Sequence, residues 1–118
     1  MQKVEHLDFS KPDEVRRFGL GRAEILNSAS GPIGRLVLEP GWRWSNDVKP
    51  IAGTAWCEAP HLQYHVSGTL HIVMENGTEF DAAPGAITSL PAGHDAWVVG
   101  TDPVIVVDFA GASAYAKA

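Results

Sequence analysis

The sequence predicts an all-β protein, a small antiparallel sandwich or barrel, and two observations support this prediction. Leu70, Ile72 and Met74 occupy every second position of one run, which is the period of a half-buried strand. Asn76-Gly77 follows this run directly, and that dipeptide is the strongest short-range signal of a hairpin. Further glycine and proline turns follow at short intervals, a spacing typical of small antiparallel sandwiches and barrels.

The N-terminal part is predicted to contain one short helix. Ser10 suits the helix cap, and Pro12 is tolerated in the first turn. Asp13 and Glu14 suit the positive end of the helix dipole. Gly19 limits the helix to a short length. Two strands are expected after it, at 23–26 and 35–39, and a long loop is expected at 41–50.

The second half of the chain is predicted to be β-structure throughout. Turn sequences at Pro84-Gly85 and at 100–103 separate its apolar runs. The strands expected around these turns are 86–90, 96–99 and 104–109. The tail, 111–118, is expected either to cross back as an edge segment or to fray.

Length and composition limit the class of protein. A chain of 118 residues without a linker fits a single domain, with a barrel core expected over about 23–110. The formal charge is -5 and Arg16-Arg17 is the only basic cluster, which argues against binding to nucleic acid or an anionic membrane. The single cysteine excludes an intrachain disulfide and indicates a reducing compartment. No signal peptide or membrane span is visible, so a cytoplasmic protein is expected.

Cys57, His61 and His94 are the candidate metal ligands. A thiolate and two imidazoles suit Zn²⁺ and also hold iron, nickel or copper, and three protein ligands leave one position open. Cys57 and His61 would lie about 13 Å apart on an extended strand, so they share an ion only if residues 58–60 turn or bulge. The alternative is a buried free cysteine with two hydrogen-bonded histidines.

Gln63, Trp42 and Trp44 are the candidate substrate-binding residues. Gln63 lies on the same strand face as His61, with their Cα atoms about 7 Å apart. Three roles are open for it: a hydrogen-bond donor to substrate, a weak metal ligand, or a polar residue that lines the barrel. Trp42 and Trp44 share parity and are expected at the mouth of a pocket for a small molecule. Packing in the core or at an interface is the alternative for both tryptophans.

Three further polar residues accompany these candidates. Glu58 and Asp95 each flank a candidate ligand, so either is placed to orient an imidazole, although both also fit solvated loop carboxylates. His65 is expected to hold the backbone or a neighbouring side chain rather than a metal. No residue is assigned a catalytic role.

Residues of about 35–109 resemble the cupin superfamily. The second cupin motif is a glycine, five residues and Pro-x-Gly, followed by a histidine, and Gly85 with Pro91-Ala92-Gly93 matches it. That histidine would be expected at Ala96. The chain has His94 instead, which shares strand parity with position 96.

The first cupin motif keeps its glycine but not its ligands. Gly68 fits the motif glycine, and the glutamate expected seven residues earlier is His61. Cys57 stands where the second histidine of the motif would be, and Ala55 where the first would be. The glycine skeleton is therefore similar to that of cupins, whereas the ligand set is altered.

The resemblance implies a jelly-roll barrel and a homodimer in which the N-terminal segment packs on the partner. The first function hypothesis is a small-molecule-binding cupin in which Cys57, His61 and His94 hold one divalent metal. Whether it is also an enzyme, of the oxygenase or of the isomerase or lyase type, is left open by the sequence. The alternative is a metal-free ligand-binding or sensor protein, for which the substituted ligand positions argue. A purely structural zinc site is the third possibility.

Overall fold

The computed structural model describes residues 3–111 and 115–116, and its regular structure is almost entirely β. Nine strands are present in this part of the chain. They are β1 Glu14–Phe18, β2 Gly21–Ser28, β3 Gly31–Leu38, β4 His61–Ser67, β5 Thr69–Met74, β6 Glu79–Ala82, β7 Ile87–Leu90, β8 His94–Val99 and β9 Val104–Asp108. The all-β prediction is confirmed, and the strands expected in the second half of the chain are all present.

The strands form two antiparallel sheets. The larger has the order β1-β2-β3-β9-β4-β7, and the smaller has the order β6-β5-β8. One apolar cluster joins them, with Ile25 and Leu38 of the larger sheet and Leu70 and Ile72 of the smaller among its members. In the described residues no named strand pairs with a strand of the other sheet, so the sheets pack as a sandwich rather than a hydrogen-bonded closed barrel.

The connectivity places the last strand at the centre of the larger sheet. β9 lies between β3 and β4, and its residue Asp108 pairs with Gly34 on one side and Gln63 on the other. Asp108 is fully buried there. The C-terminal strand thus brings a carboxylate into the interior beside β4.

Strand β4 has polar residues inside and apolar residues outside. His61, Gln63 and His65 are buried, whereas the alternate positions Leu62 and Tyr64 are exposed. Side chains of a strand at a core normally alternate between apolar residues inside and polar residues outside, and in β4 this order is reversed. Buried polar side chains cost free energy unless they are partnered, which makes the inner face of β4 the place to look for a site.

The predicted N-terminal helix is wrong, because this segment is irregular up to Asp13 and then forms edge strand β1. β1 pairs with β2 along its whole length. Asp13 does not serve a helix start: its N–H donates to the Ile25 carbonyl at 2.8 Å, and its Oδ2 accepts the N–H of Asn27 at 2.8 Å. Pairing with an existing sheet edge outweighs the weak local preference for helix.

The predicted long loop over 41–50 is also wrong in part. It contains α1, Trp44–Asp47, and the start of α2, Lys49–Ala52. The Oδ2 of Asp47 accepts the backbone N–H of Arg43 at 2.9 Å, which tightens the turn before α1. Both helices have four residues, and no helix in the described part is long and apolar enough to cross a membrane.

Gly68 forms the corner between the two sheets. Its φ is +74°, and a Cβ built on it would lie 2.3 Å from the carbonyl oxygen of Pro103, at the approach to β9. The corner therefore requires both the left-handed conformation and the absence of a side chain. This explains why the motif glycine is needed whatever the interior binds.

Gly68→Ala is expected to lower the free energy of unfolding by more than Gly77→Ala, because only Gly68 faces a backbone clash in addition to positive φ. Gly77 has φ +94° with nothing within 4 Å of a built Cβ. The Gly77 change should cost about 1 kcal/mol and the Gly68 change at least about 2 kcal/mol more. Urea unfolding of both variants measures this, and equal losses would contradict the role of the corner.

Candidate metal centre

Cys57, His61 and His94 come together from three segments of the chain. Cys57 precedes β4, His61 begins β4 and His94 begins β8. Backbone hydrogen bonds join the first and last, since the Cys57 N–H donates to the His94 carbonyl at 2.8 Å and the Gly93 N–H donates to the Cys57 carbonyl at 2.8 Å. Residues 58–60 are not strand, so Cys57 and His61 are not held at the spacing of an extended chain.

The potential ligand atoms of these three residues all lie within 4.8 Å of one another, and all three residues are buried. The Cys57 sulfur lies 3.7 Å from His61 Nε2, and the two imidazole centroids are 5.1 Å apart. Among the described residues this is the one cluster of at least three histidine, cysteine or acidic side chains close enough to share an ion.

Both imidazoles are held by their Nδ1 atoms. His61 Nδ1 lies 2.5 Å from Asp108 Oδ2, and His94 Nδ1 lies 3.0 Å from the carbonyl oxygen of Pro91. A carboxylate and a carbonyl only accept hydrogen bonds, so each Nδ1 carries the hydrogen. In each histidine Nε2 is therefore the nitrogen that can bind a metal. A ligand histidine usually donates its other ring N–H to an acceptor in this way.

Asp108 is the site residue that the sequence analysis missed. Its Oδ1 also accepts the N–H of Ala110 at 3.0 Å, and its Oδ2 accepts a longer bond of 3.4 Å from Gln63 Nε2. Its position in the strand could have revealed it, because Asp108 lies on the same strand face as the buried Val104 and Val106. A carboxylate at an inward position of an apolar strand requires a partner.

Cys57 and His61 alter each other's ionisation. Burial alone raises the pKa of the Cys57 thiol, but hydrogen bonds and charge from His61 and His94 outweigh it and lower that pKa to about 6. Burial alone lowers the pKa of His61, but Asp108 and Cys57 outweigh it and raise that pKa to about 9. Between these values, the metal-free site holds a thiolate beside an imidazolium.

A small cavity adjoins the three residues. Its volume is about 20 Å³, and its lining is largely apolar, with Gln63 and both candidate tryptophans in the wall. That volume holds roughly one water molecule. Trp42 and Trp44 are each only 2% exposed, so they lie inside the sandwich, whereas the sequence analysis expected them at a pocket mouth.

A wider cleft lies beside this cavity and shares part of its wall. The outer cleft has a volume of about 260 Å³, and Trp44, Cys57 and Tyr115 line both spaces. Tyr115 is 4% exposed and packs edge-on against His61, with ring centroids 5.5 Å apart. Burial and the nearby charges of Cys57, Asp108 and Asp95 raise the pKa of its phenol well above the ordinary value.

The remaining polar residues that the sequence singled out stay outside the cluster. His65 Nε2 lies 2.9 Å from Thr88 Oγ1, and burial lowers its pKa, so it is a neutral interior histidine. Glu58 is exposed. Asp95 is buried, and its Oδ1 accepts the backbone N–H of Ser45 at 3.1 Å, so it anchors the start of α1 instead of orienting an imidazole.

Comparison by sequence finds no relative: no protein-family model matches the chain, and no curated protein matches it. Solved structures do match. One of unknown function from Rhizobium leguminosarum has a TM-score of 0.64 at 13% identity, covering 91% of this chain and 95% of that one. A sugar phosphate isomerase described as a cupin, from Silicibacter pomeroyi, has a TM-score of 0.60 at 21% identity, covering 88% and 73%.

Enzymes of greater length match as well. A mutant of Bacillus subtilis oxalate decarboxylase has a TM-score of 0.61 at 17% identity, covering 87% of this chain. The chain spans 30% of the Lactobacillus farciminis oxalate decarboxylase and 29% of the Bacillus enzyme. At these identities, the likeness shows a shared fold.

The ultraviolet absorbance of the Cys57 thiolate in the metal-free protein is expected to appear with a midpoint near pH 6 and to be lost below it, instead of at the ordinary value of 9.0. Cys57 is the only cysteine, so the signal has one source. Asp108→Asn removes the charge that keeps His61 protonated and should raise the midpoint. Asp102→Asn, in an exposed turn, is the matched control. A wild-type midpoint near 9, or no change in Asp108→Asn, would contradict this assignment.

Proposed function

Because the chain has the fold of the cupin superfamily, as its glycine and proline motifs predict, we propose that its interior is a metal-dependent reaction centre. In this proposal, Cys57, His61 and His94 hold one divalent transition metal ion. The observation that carries it is the orientation of both histidines, each of which donates Nδ1–H to an oxygen and so keeps Nε2 for a metal. The Nε2 of His61 lies 3.7 Å from the Cys57 sulfur.

The donor set favours zinc among the four metals considered. A thiolate and two imidazoles match the ligand types of catalytic zinc sites, although iron, nickel and copper also accept them. The cluster supplies three ligands, which leaves room for a further one. A divalent ion there would act as a Lewis acid or lower the pKa of a water molecule.

The chain's own residues have defined parts in this proposal. Asp108 fixes the tautomer of His61, and the Pro91 carbonyl fixes that of His94. The low pKa of Cys57 makes its thiolate available at neutral pH without strong competition from protons. Trp42, Trp44 and Gln63 form part of the wall that excludes bulk water from the site.

The reaction class follows by analogy with the fold neighbours. Those neighbours include oxalate decarboxylases, a DMSP lyase and a sugar phosphate isomerase. By this analogy the reaction is of isomerase or lyase type and acts on a small molecule. An oxygenase reaction, for which none of these neighbours is named, is the other class considered. This assignment rests on fold alone, whereas the metal proposal rests on the residues.

The second candidate is a metal-free ligand-binding or sensor protein. The observation that favours it is a chain of contacts that gives Cys57 and His61 partners without an ion: the Cys57 sulfur lies 3.7 Å from His61 Nε2, and His61 Nδ1 lies 2.5 Å from Asp108 Oδ2. Ala55 and Ala96 also stand where cupin ligands would be expected. In that case Cys57→Ala and His61→Ala would leave metal content unchanged and alter the melting shifts caused by organic ligands.

Protein purified without chelator, or reconstituted with Zn²⁺, is expected to contain one equivalent of metal per chain by elemental analysis. Cys57→Ala, His61→Ala and His94→Ala should each lose most of it, because two ligands hold the ion much more weakly than three. His6→Ala, which removes an exposed histidine, is the matched control and should keep it. A wild-type content below about a tenth of an equivalent after reconstitution would refute the proposal.

A further inference from the structure

The outer cleft has a mainly apolar wall. Its volume of about 260 Å³ equals that of roughly eight or nine molecules of liquid water, which is room for a small organic molecule with one ring. Val48 and Ala52 of the helical segment form one part of the wall, and Ala59 and Pro60, which precede β4, form another. Small organic molecules bind in concave, mostly apolar spaces that contain a few polar groups. The cleft therefore suits the body of an organic ligand.

The charge in this wall is negative. Glu58 is the one charged side chain that lines the cleft among the described residues, and it is exposed, with no hydrogen bond or ion pair in that part of the chain. The Thr54 hydroxyl donates to the Trp56 carbonyl at 2.6 Å. Lys49 lines a separate groove that shares Thr54 with the cleft. A ligand in the cleft thus meets a carboxylate that has no cationic partner.

We propose that the outer cleft binds the apolar body of a cationic small molecule, an apolar amine, with its ammonium group beside Glu58. Burial of the apolar body supplies most of the binding free energy. The carboxylate selects for charge, because it attracts an ammonium group and repels a carboxylate or phosphate.

The cleft adjoins the proposed metal centre. Cys57 lies in the wall of the cleft and in the wall of the interior cavity, so a ligand in the cleft lies next to that centre. The identification of this ligand as a substrate rests on the proposed function. The binding of an apolar amine in the cleft does not depend on a metal.

Three probes with the same ring test the charge preference: benzylamine, benzyl alcohol and benzoate. Isothermal titration calorimetry at neutral pH is expected to give the tightest binding for benzylamine, which is protonated there as a lysine side chain is. An exposed ion pair contributes little, so benzylamine should bind about two- to fivefold more tightly than benzyl alcohol. Benzoate should bind most weakly. Equal affinities, or tighter binding of benzoate, would overturn the proposal.

The role of Glu58 is tested by removing and by reversing its charge. Glu58→Gln should lower the affinity for benzylamine to that for benzyl alcohol, and Glu58→Lys should make benzoate bind more tightly than benzylamine. Glu75→Gln is the matched control, because Glu75 is exposed in the turn after β5, and it should keep the wild-type order. If Glu58→Lys still prefers benzylamine, the assignment of Glu58 is wrong.

Alanine methyl groups report where the probe binds. In the NMR spectrum of methyl-labelled protein, the Ala52 and Ala59 signals should shift with benzylamine until saturation, because both residues line the cleft. The signal of Ala83, which is exposed directly after β6, should stay in place. Binding that leaves the Ala52 and Ala59 signals unmoved would lie elsewhere and would contradict the proposal.

Titration of benzylamine into both zinc-loaded and metal-free protein separates this inference from the proposed function. If zinc does not bind but benzylamine does, the metal centre fails, whereas the cleft assignment stands and the sensor candidate is favoured. If zinc binds and benzylamine binds neither form, the cleft assignment fails and the metal centre stands.

Discussion

The hydrogen bond between His61 Nδ1 and Asp108 Oδ2 is the interaction on which the site depends. His61 is 5% exposed and Asp108 is fully buried. A carboxylate without a partner at that depth would cost several kcal/mol, so the pair is needed once either residue is present. The bond also fixes which nitrogen of His61 faces Cys57. One contact thus links the stability of the sheet to the chemistry of the cluster.

The sheet topology makes that contact possible. β9 must lie next to β4 for Asp108 to reach His61, and the positive-φ corner at Gly68 allows β4 to pass the approach to β9. After β9 the chain crosses close to Pro60 at Gly111, where φ is +82° and a Cβ would lie 2.0 Å from the Pro60 carbonyl oxygen. These close approaches explain glycines that bind nothing themselves. They allow the backbone on either side of β9 to pass close to Gly68 and Pro60.

The sequence was sufficient for the all-β class and for naming Cys57, His61 and His94, which the structure brings close together. Alternation in β5 and the Asn76-Gly77 turn are local signals, and local signals identify strands reliably. Cys57 and His94 were named from ligand chemistry, but their contact comes from a backbone bridge between distant segments. Asp108 was missed because its partner lies 47 residues away. The N-terminal helix was predicted from capping signals alone, whereas the edge of β2 determines the structure there.

The most direct measurement of the central claim is X-ray absorption at the zinc edge of the reconstituted protein. The account predicts one sulfur at about 2.3 Å and at least two imidazole nitrogens at about 2.0–2.1 Å. The sulfur shell should vanish in Cys57→Ala, and the number of imidazoles should fall in His61→Ala. A wild-type zinc shell made only of oxygen and nitrogen, without sulfur, would contradict the assignment of Cys57 as a ligand and with it the proposed centre.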